Sequence, residues 1–230
     1  MKSKILSVAA AALMFAACNE PLECIKTMKK ITFLFAILLG VSFSSVAQQN
    51  LNLRFGYKIP TETFGKSNYP NVHGFEIGLS KDFKISEKFS FRPGLSYYFQ
   101  WRTEKLGENY FLWETLYPEI NVQKNSRIRN CFHFLEIPLM AAWKIGKFDL
   151  EIGPYVSYEF ASRFSLAGKK ISAEYGSDRF DVGFKGGFGY HLSEKYYIGL
   201  SYENGIRNLS KVSYDKSFTH NLSLNFGYNF

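Results

Sequence analysis

Cysteine is scarce: the 230 residues hold three, Cys18, Cys24 and Cys131, too few for a disulfide-stapled miniprotein. Long apolar runs are missing as well. Beyond the first 50 residues none approaches the ~18 residues of a helical membrane span, which excludes a polytopic helical membrane protein. The four histidines, His73, His133, His191 and His220, are too dispersed to suggest a metal site, and no phosphate-cradling glycine loop is present. Aromatics are abundant instead. The chain has 23 Phe, 15 Tyr and 18 Gly, is 18% aromatic and 46% hydrophobic, and has a mean hydropathy of −0.15. That is far too aromatic for a disordered chain and points to one aromatic-rich β domain.

The first fifty residues read as two export signals in series. From Met1, Lys2 and Lys4 lead into an apolar stretch that ends at Phe15-Ala16-Ala17-Cys18, a lipoprotein-like cleavage site. From Met28, Lys29 and Lys30 precede the apolar run Ile31 to Phe43, with Ser45-Val46-Ala47 before Gln48. A basic end, a core of ~13 apolar residues and small residues at the cleavage site make a secretory signal peptide rather than a membrane span. A lipid on Cys18 would strand the second apolar segment, so the expected start is Met28 with cleavage after Ala47. The leader, 1–47, carries five Lys and two Glu, so its loss lowers the formal charge from +8 to +5. The remainder is modest and scattered, which argues against nucleic-acid binding.

From Leu51 to Phe230 the dominant signal has a period of two. In the last stretch Leu222, Leu224, Phe226, Tyr228 and Phe230 alternate with Asn221, Ser223, Asn225, Gly227 and Asn229. The pattern predicts strands at about 51–59, 73–85, 89–102, 132–145, 148–160, 179–192, 196–207 and 218–230. Three connections are tight: Ser86-Glu87-Lys88, Gly146-Lys147 and Ser193-Glu194-Lys195. Four are longer, at about 60–72, 103–131, 161–178 and 208–217. Short turns at one end and long loops at the other describe an all-β, eight-stranded antiparallel up-and-down barrel, preceded by a cleavable signal segment.

One alternating set is large and apolar, including Phe55, Tyr57, Ile77, Leu95, Trp101, Ile137, Trp143, Ile152, Phe188 and Leu200. The other is small or charged, including Arg54, Gly56, Glu76, Arg92, Ser96, Glu136, Glu151, Lys185, Gly187 and Glu203. An eight-stranded barrel is only just wide enough for side chains to fill. The large set cannot fit inside and the small one can. The apolar face must then meet lipid, making a transmembrane β-barrel; a soluble lipocalin-like barrel would need the reverse. Trp101, Trp143, Tyr57, Tyr158, Tyr190, Tyr196 and Tyr228 fall toward strand ends, as an interfacial girdle requires.

Folding each tight hairpin about its turn gives cross-strand partners. Asp82 lands opposite Arg92, Lys144 opposite Asp149, Lys185 opposite Glu203 and Asp181 opposite Arg207. All are expected as charge pairs on the interior face. Lys81 falls on the lipid face four residues from a turn, close enough to snorkel to the interface. Its register partner is Pro93, which cannot complete the ladder, so a bulge or kink is expected at Arg92-Pro93-Gly94.

Phe134-Leu135-Glu136-Ile137-Pro138-Leu139, then Gly153-Pro154-Tyr155, Gly186-Gly187-Phe188-Gly189-Tyr190 and Tyr202-Glu203-Asn204-Gly205 resemble the outer-membrane β-barrel family of Bacteroidota that includes PorT-like proteins. The resemblance spans roughly 50–230. It implies an eight-stranded barrel in a Gram-negative outer membrane, often labelled porin family, and brings no catalytic residues or cofactor. The terminal Phe230 resembles the signal read by the barrel-assembly machinery.

The loop 103–131 is the most distinctive exposed element, with Tyr110-Phe111-Leu112-Trp113, Tyr117 and the basic group Lys124, Arg127 and Arg129. It reads equally as a recognition surface, for a partner such as a secretion complex or for anionic outer-leaflet sugars, and as strands that extend and pack their aromatics. Three function classes remain. The first is a monomeric, non-catalytic scaffold acting through exposed loops. The second is a narrow porin-like channel, and the third a lipid-modifying enzyme, for which His133 with Ser126 is the only constructible pair.

Overall fold

The computed structural model describes residues 50–60, 72–171, 178–209 and 218–230. The leader expected over 1–47 lies outside them. Ten strands form one antiparallel sheet: β1 (Leu51–Pro60), β2 (Val72–Lys81), β3 (Phe83–Lys84), β4 (Phe89–Lys105), β5 (Arg127–Ile145), β6 (Phe148–Leu166), β7 (Lys169–Ile171), β8 (Phe180–His191), β9 (Tyr196–Gly205) and β10 (His220–Asn229). Each long strand pairs with its chain neighbours, and β1 pairs with both β2 and β10. The ring therefore closes as an eight-stranded antiparallel barrel whose long strands each pair on both sides, the arrangement that satisfies backbone groups in a membrane.

Side-chain parity sorts the residues as the alternation requires. Phe184, Phe188, Ile198, Leu200, Leu224 and Phe226 are exposed on the outside, whereas Lys58, Glu76, Glu136, Lys185 and Glu203 are buried inside. The tight turns follow from local chemistry. The Ser86 hydroxyl accepts from the Phe89 amide (3.1 Å) and the Ser193 hydroxyl from the Tyr196 amide (3.2 Å), so the repeated Ser-Glu-Lys sequence builds the same turn twice. Gly146 opens the two-residue turn between β5 and β6 at φ 62°, a backbone that glycine adopts without a steric penalty.

Pro93 interrupts the ladder as expected, but without a bulge. No bulge forms at Arg92-Pro93-Gly94: the register is the same on both sides, Ser80 facing Gly94 and Phe83 facing Phe91. The ladder simply lapses opposite Pro93, which has no N–H to give. On the other side of β2 the β1–β2 register runs on unbroken, the Asp82 amide donating to the Asn50 carbonyl at 2.9 Å. The register shift lies between β5 and β6, where His133 faces Ala161 and Phe134 faces Glu159, leaving Phe160 as the extra residue. Lys81 holds its ammonium 5.7 Å from the Phe83 ring centre, leaning toward the tight-turn end.

Three strands run longer than the alternation indicated. β4 continues to Lys105, β5 begins at Arg127 and β6 reaches Leu166 before folding back as β7. On their inner side Leu106, Ile120, Val122, Ile128, Phe132, Phe164, Leu166 and Ile171 form an apolar cluster. A 3-10 turn (Gly107–Asn109) leads into a short helix, α1 (Tyr110–Leu116). From it Tyr110 and Trp113 pack on the cluster together with Tyr117.

Candidate functional site

The lumen is occupied by two ionic networks stacked along the axis. In the upper one, Lys58 of β1 and Lys185 of β8 share three carboxylates: Glu76 of β2, Glu136 of β5 and Glu203 of β9. Lys58 lies 2.8 Å from Glu203, 3.3 Å from Glu76 and 3.4 Å from Glu136. Lys185 lies 2.7 Å from Glu203, 2.9 Å from Glu136 and 3.3 Å from Glu76. All five side chains are 1% exposed. Tyr98 covers the Lys58 ammonium with its ring, 3.8 Å from centroid to nitrogen, a cation–π contact strengthened by the loss of water. The Asn221 amide donates to Glu203 at 2.9 Å, and the Tyr155 hydroxyl to Asp181 at 3.0 Å.

The lower network joins Arg54 to Glu151 (2.8 Å) and Arg92 to Glu151 (3.2 Å), Asp149 (3.1 Å) and Asp82. His191 Nε2 completes it at 3.0 Å from Asp149. A cavity of about 10 Å³ beside Arg54, Arg92 and Tyr197 has room for about one water. A vestibule of about 240 Å³ opens below, at the tight-turn end, lined by Asp82, Lys144, Asp149 and His191 among others.

Asp82 meets Arg92, and Lys185 meets Glu203, as cross-strand ion pairs. Lys144 does face Asp149 in the β5–β6 register, but the ion pair expected between them is not made. Lys144 is exposed, while Asp149 turns inward to Arg92 and His191, which approach from other strands. Asp181 and Arg207 also part. The β8–β9 ladder stops at Gly183 and Gly205, so register no longer governs positions 181 and 207. Arg207 pairs with Asp178 at 2.8 Å, and Asp181 takes the Tyr155 hydroxyl and the Val182 amide. Phe230 faces outward, its amide bonded to the Leu51 carbonyl at 2.9 Å.

Lys58 was missed in the sequence, although it shares the parity of Arg54 and Gly56. Glu76, Glu136 and Glu151 were assigned inside but without partners. Hairpin arithmetic connects adjacent strands, and these contacts cross the lumen.

On the outside, a hydrogen-bonded girdle lies near the long-loop end. The Tyr57 hydroxyl bonds His73, Tyr97 bonds His133 (2.8 Å) and Tyr202 bonds His220 (3.0 Å), each bond running between the hydroxyl and the ring Nδ1. His133 is also ringed by Phe99 and Phe160. Ser126 is engaged elsewhere, accepting from the Gln123 amide at 2.9 Å, so the pair proposed for lipid chemistry is not assembled. Within the loop Lys124 pairs with Glu108, whereas Arg127 and Arg129 belong to β5.

Apolar exterior, ionic interior and ring closure define a transmembrane β-barrel. Its sequence matches the family model of the outer membrane protein beta-barrel domain over residues 19–211, and the chain belongs to that family. No curated protein sequence matches it. Among solved structures it is similar to the Neisserial surface protein NspA (11% identity, TM-score 0.50, 79% of this chain and 98% of that one). It is also similar to Ail, the attachment invasion locus protein of Yersinia pestis (14% identity, TM-score 0.45, 79% and 99%). A third similar structure is the outer-membrane enzyme PagL (10% identity, TM-score 0.36, 78% and 99%).

Proposed function

We propose that this outer-membrane barrel is a non-catalytic, non-conducting protein that acts through its outward and exposed surfaces in the cell envelope. One observation carries the reading. Two lysines and three glutamates from five strands meet at the axis with 1% exposure, so a solute crossing the barrel would have to break a buried ionic cluster. The vestibule of about 240 Å³ ends beneath it.

Planar-bilayer recording on the purified, refolded protein tests this. The expected trace has no sustained unitary conductance, and large regular steps would establish the channel reading instead. Cells overexpressing the chain are expected to keep an unchanged lipid A and phospholipid profile. A new lipid species would establish the enzyme reading.

The same proposal takes Met28 as the start, with cleavage after Ala47, and N-terminal sequencing of the mature protein tests it. It also takes the barrel as a monomer inserted by the barrel-assembly machinery through Phe230. The resemblance around Leu135-Glu136-Ile137-Pro138 supports a PorT-like barrel of Bacteroidota. Mild crosslinking in native outer membranes would identify any surface or secretion partner.

A further inference from the structure

The basic group suggested by Lys124, Arg127 and Arg129 does not survive as a unit, but register assembles a different one. Lys105 of β4 faces Arg127 of β5, and Thr103 faces Arg129. Across the next ladder Arg129 faces Ser165 and Cys131 faces Arg163, while Ser165 faces Lys170 of β7. Residues directly opposed in a ladder lie on one side of the sheet. Lys105, Arg127, Arg129, Arg163 and Lys170 therefore share the outward side of the four-strand extension, opposite the apolar cluster of Ile128, Phe132, Phe164 and Leu166. Lys105, Arg127, Arg129 and Lys170 are exposed and Arg163 is half-buried. Among the described strand residues none on this side is a carboxylate: Glu104 faces Ile128 on the inner side, where it pairs with Arg102, and Arg163 and Lys170 have partners of their own.

Two features give this patch a direction. Like charges directly opposed in a ladder destabilise it, so the Lys105–Arg127 pair is a structural cost that an anion would relieve. The patch also stands directly above the lipid-facing belt. Ten residues of strand, tilted about 40°, climb about 25 Å, the height of an outer-membrane apolar band. Counted upward from Trp143 of the lower girdle, that distance ends at His133, beside Phe99 and Phe160. Cys131, Arg129 and Arg127 follow at headgroup level.

We propose that this face binds a phosphorylated glycolipid of the outer leaflet, its acyl chains on the belt of Leu135, Tyr158 and Phe160 and its phosphates on Lys105, Arg127 and Arg129. The continuity of cations with apolar surface selects an amphiphile over a soluble polyanion. The site stands whether or not the barrel conducts.

Native mass spectrometry of the full chain refolded in non-ionic detergent, titrated with bis-phosphorylated lipid A, tests the site. The wild type is expected to retain the lipid, more weakly as salt rises. Dephosphorylated lipid A is expected to bind roughly tenfold or more weakly, and the K105Q/R127Q/R129Q variant to lose affinity by a similar factor, since each surface cation contributes several-fold. A K84Q/K88Q control at the opposite end should bind like the wild type. Equal retention by the triple variant would overturn the proposal, as would binding of the acyl-free glucosamine bisphosphate as tight as that of the lipid. Should the triple variant fail to show the heat-dependent gel shift of a folded barrel, the wild-type comparison decides. Lipid A binding that ignores both salt and phosphate would contradict the site.

Discussion

Lys58 and Glu203 stand 145 residues apart in the chain and 2.8 Å apart in the lumen. Their contact ties the first strand to the seventh of the barrel ring. With Lys185 on the strand beside Glu203, it makes the axis of the barrel a shared ionic cluster rather than a set of separate cross-strand pairs.

That cluster holds two ammonium groups against three carboxylates, so its members are not equivalent. Lys58→Met removes a cation on which all three carboxylates depend. It is expected to cost about 3–5 kcal/mol, the range for breaking a buried pair. Glu76→Gln removes the carboxylate that comes no nearer than 3.3 Å to either lysine, and brings the charges into balance. It should cost much less. Urea unfolding in lipid vesicles compares them, and an E76Q loss as large as that of K58M would contradict the charge count.

Facing positions and actual contacts diverge at Asp149. Lys144 sits opposite it in register, but Arg92 and His191 hold its carboxylate. Lys144→Gln is expected to change stability by less than about 0.5 kcal/mol, as surface substitutions do. Asp149→Asn is expected to cost about 1–3 kcal/mol through the bonds lost to charged partners. The same unfolding assay would show the reverse order if register alone governed pairing.

Gly186 and Gly187 are neighbours on opposite faces. A methyl group on Gly187 would sit 2.9 Å from a Glu151 carboxylate oxygen and 3.0 Å from its Cγ, pressing on the ligand shared by Arg54 and Arg92; on Gly186 the nearest atom is 3.8 Å away. Gly187→Ala is therefore expected to destabilise by about 1–3 kcal/mol, and Gly186→Ala to be neutral. Equal effects would place both residues on one face.

The cap should yield separately from the barrel. Trp113 stacks on Tyr117 with ring centres 6.0 Å apart, and both pack on the apolar cluster at the inner side of the strand extensions. Trp113→Ala is expected to speed protease cleavage within residues 106–126 several-fold, since the loss of a packed aromatic raises the population of the open loop. The heat-dependent gel shift of the barrel should persist. Loss of that shift would make the cap part of the barrel's own folding unit.

Much of this architecture was legible because a strand's two faces alternate with an exact period. Tyr196 to Gly205 needed only parity to separate Ile198 and Leu200 from Ser201 and Glu203, and the paired Ser-Glu-Lys turns set two hairpin registers correctly. The barrel was legible, but the contacts across its lumen were not. Lys58 meets Glu136 and Glu203 only because the sheet curls until β1 joins β10, and no local pattern states that geometry. The loop 103–131 was overestimated for another reason. Its ends, Thr103–Lys105 and Arg127–Cys131, carry Arg and Lys outside and Ile128 and Phe132 inside. That inverts the lipid-facing pattern, because these strand ends stand in water. The sequence marked Arg127 and Arg129 of the basic patch, and register adds Lys105 beside them.

The most direct measurement is a quenching scan along β9. Single-cysteine variants at positions 196 to 205, in a background with Cys18, Cys24 and Cys131 replaced by Ser and carrying a fluorophore, are reconstituted in vesicles with brominated acyl chains. Quenching is expected to alternate, strong at 198, 200 and 202 and weak at 199, 201 and 203. Uniform quenching, or the opposite phase, would contradict a barrel that turns its apolar side chains to lipid and closes its axis with charge.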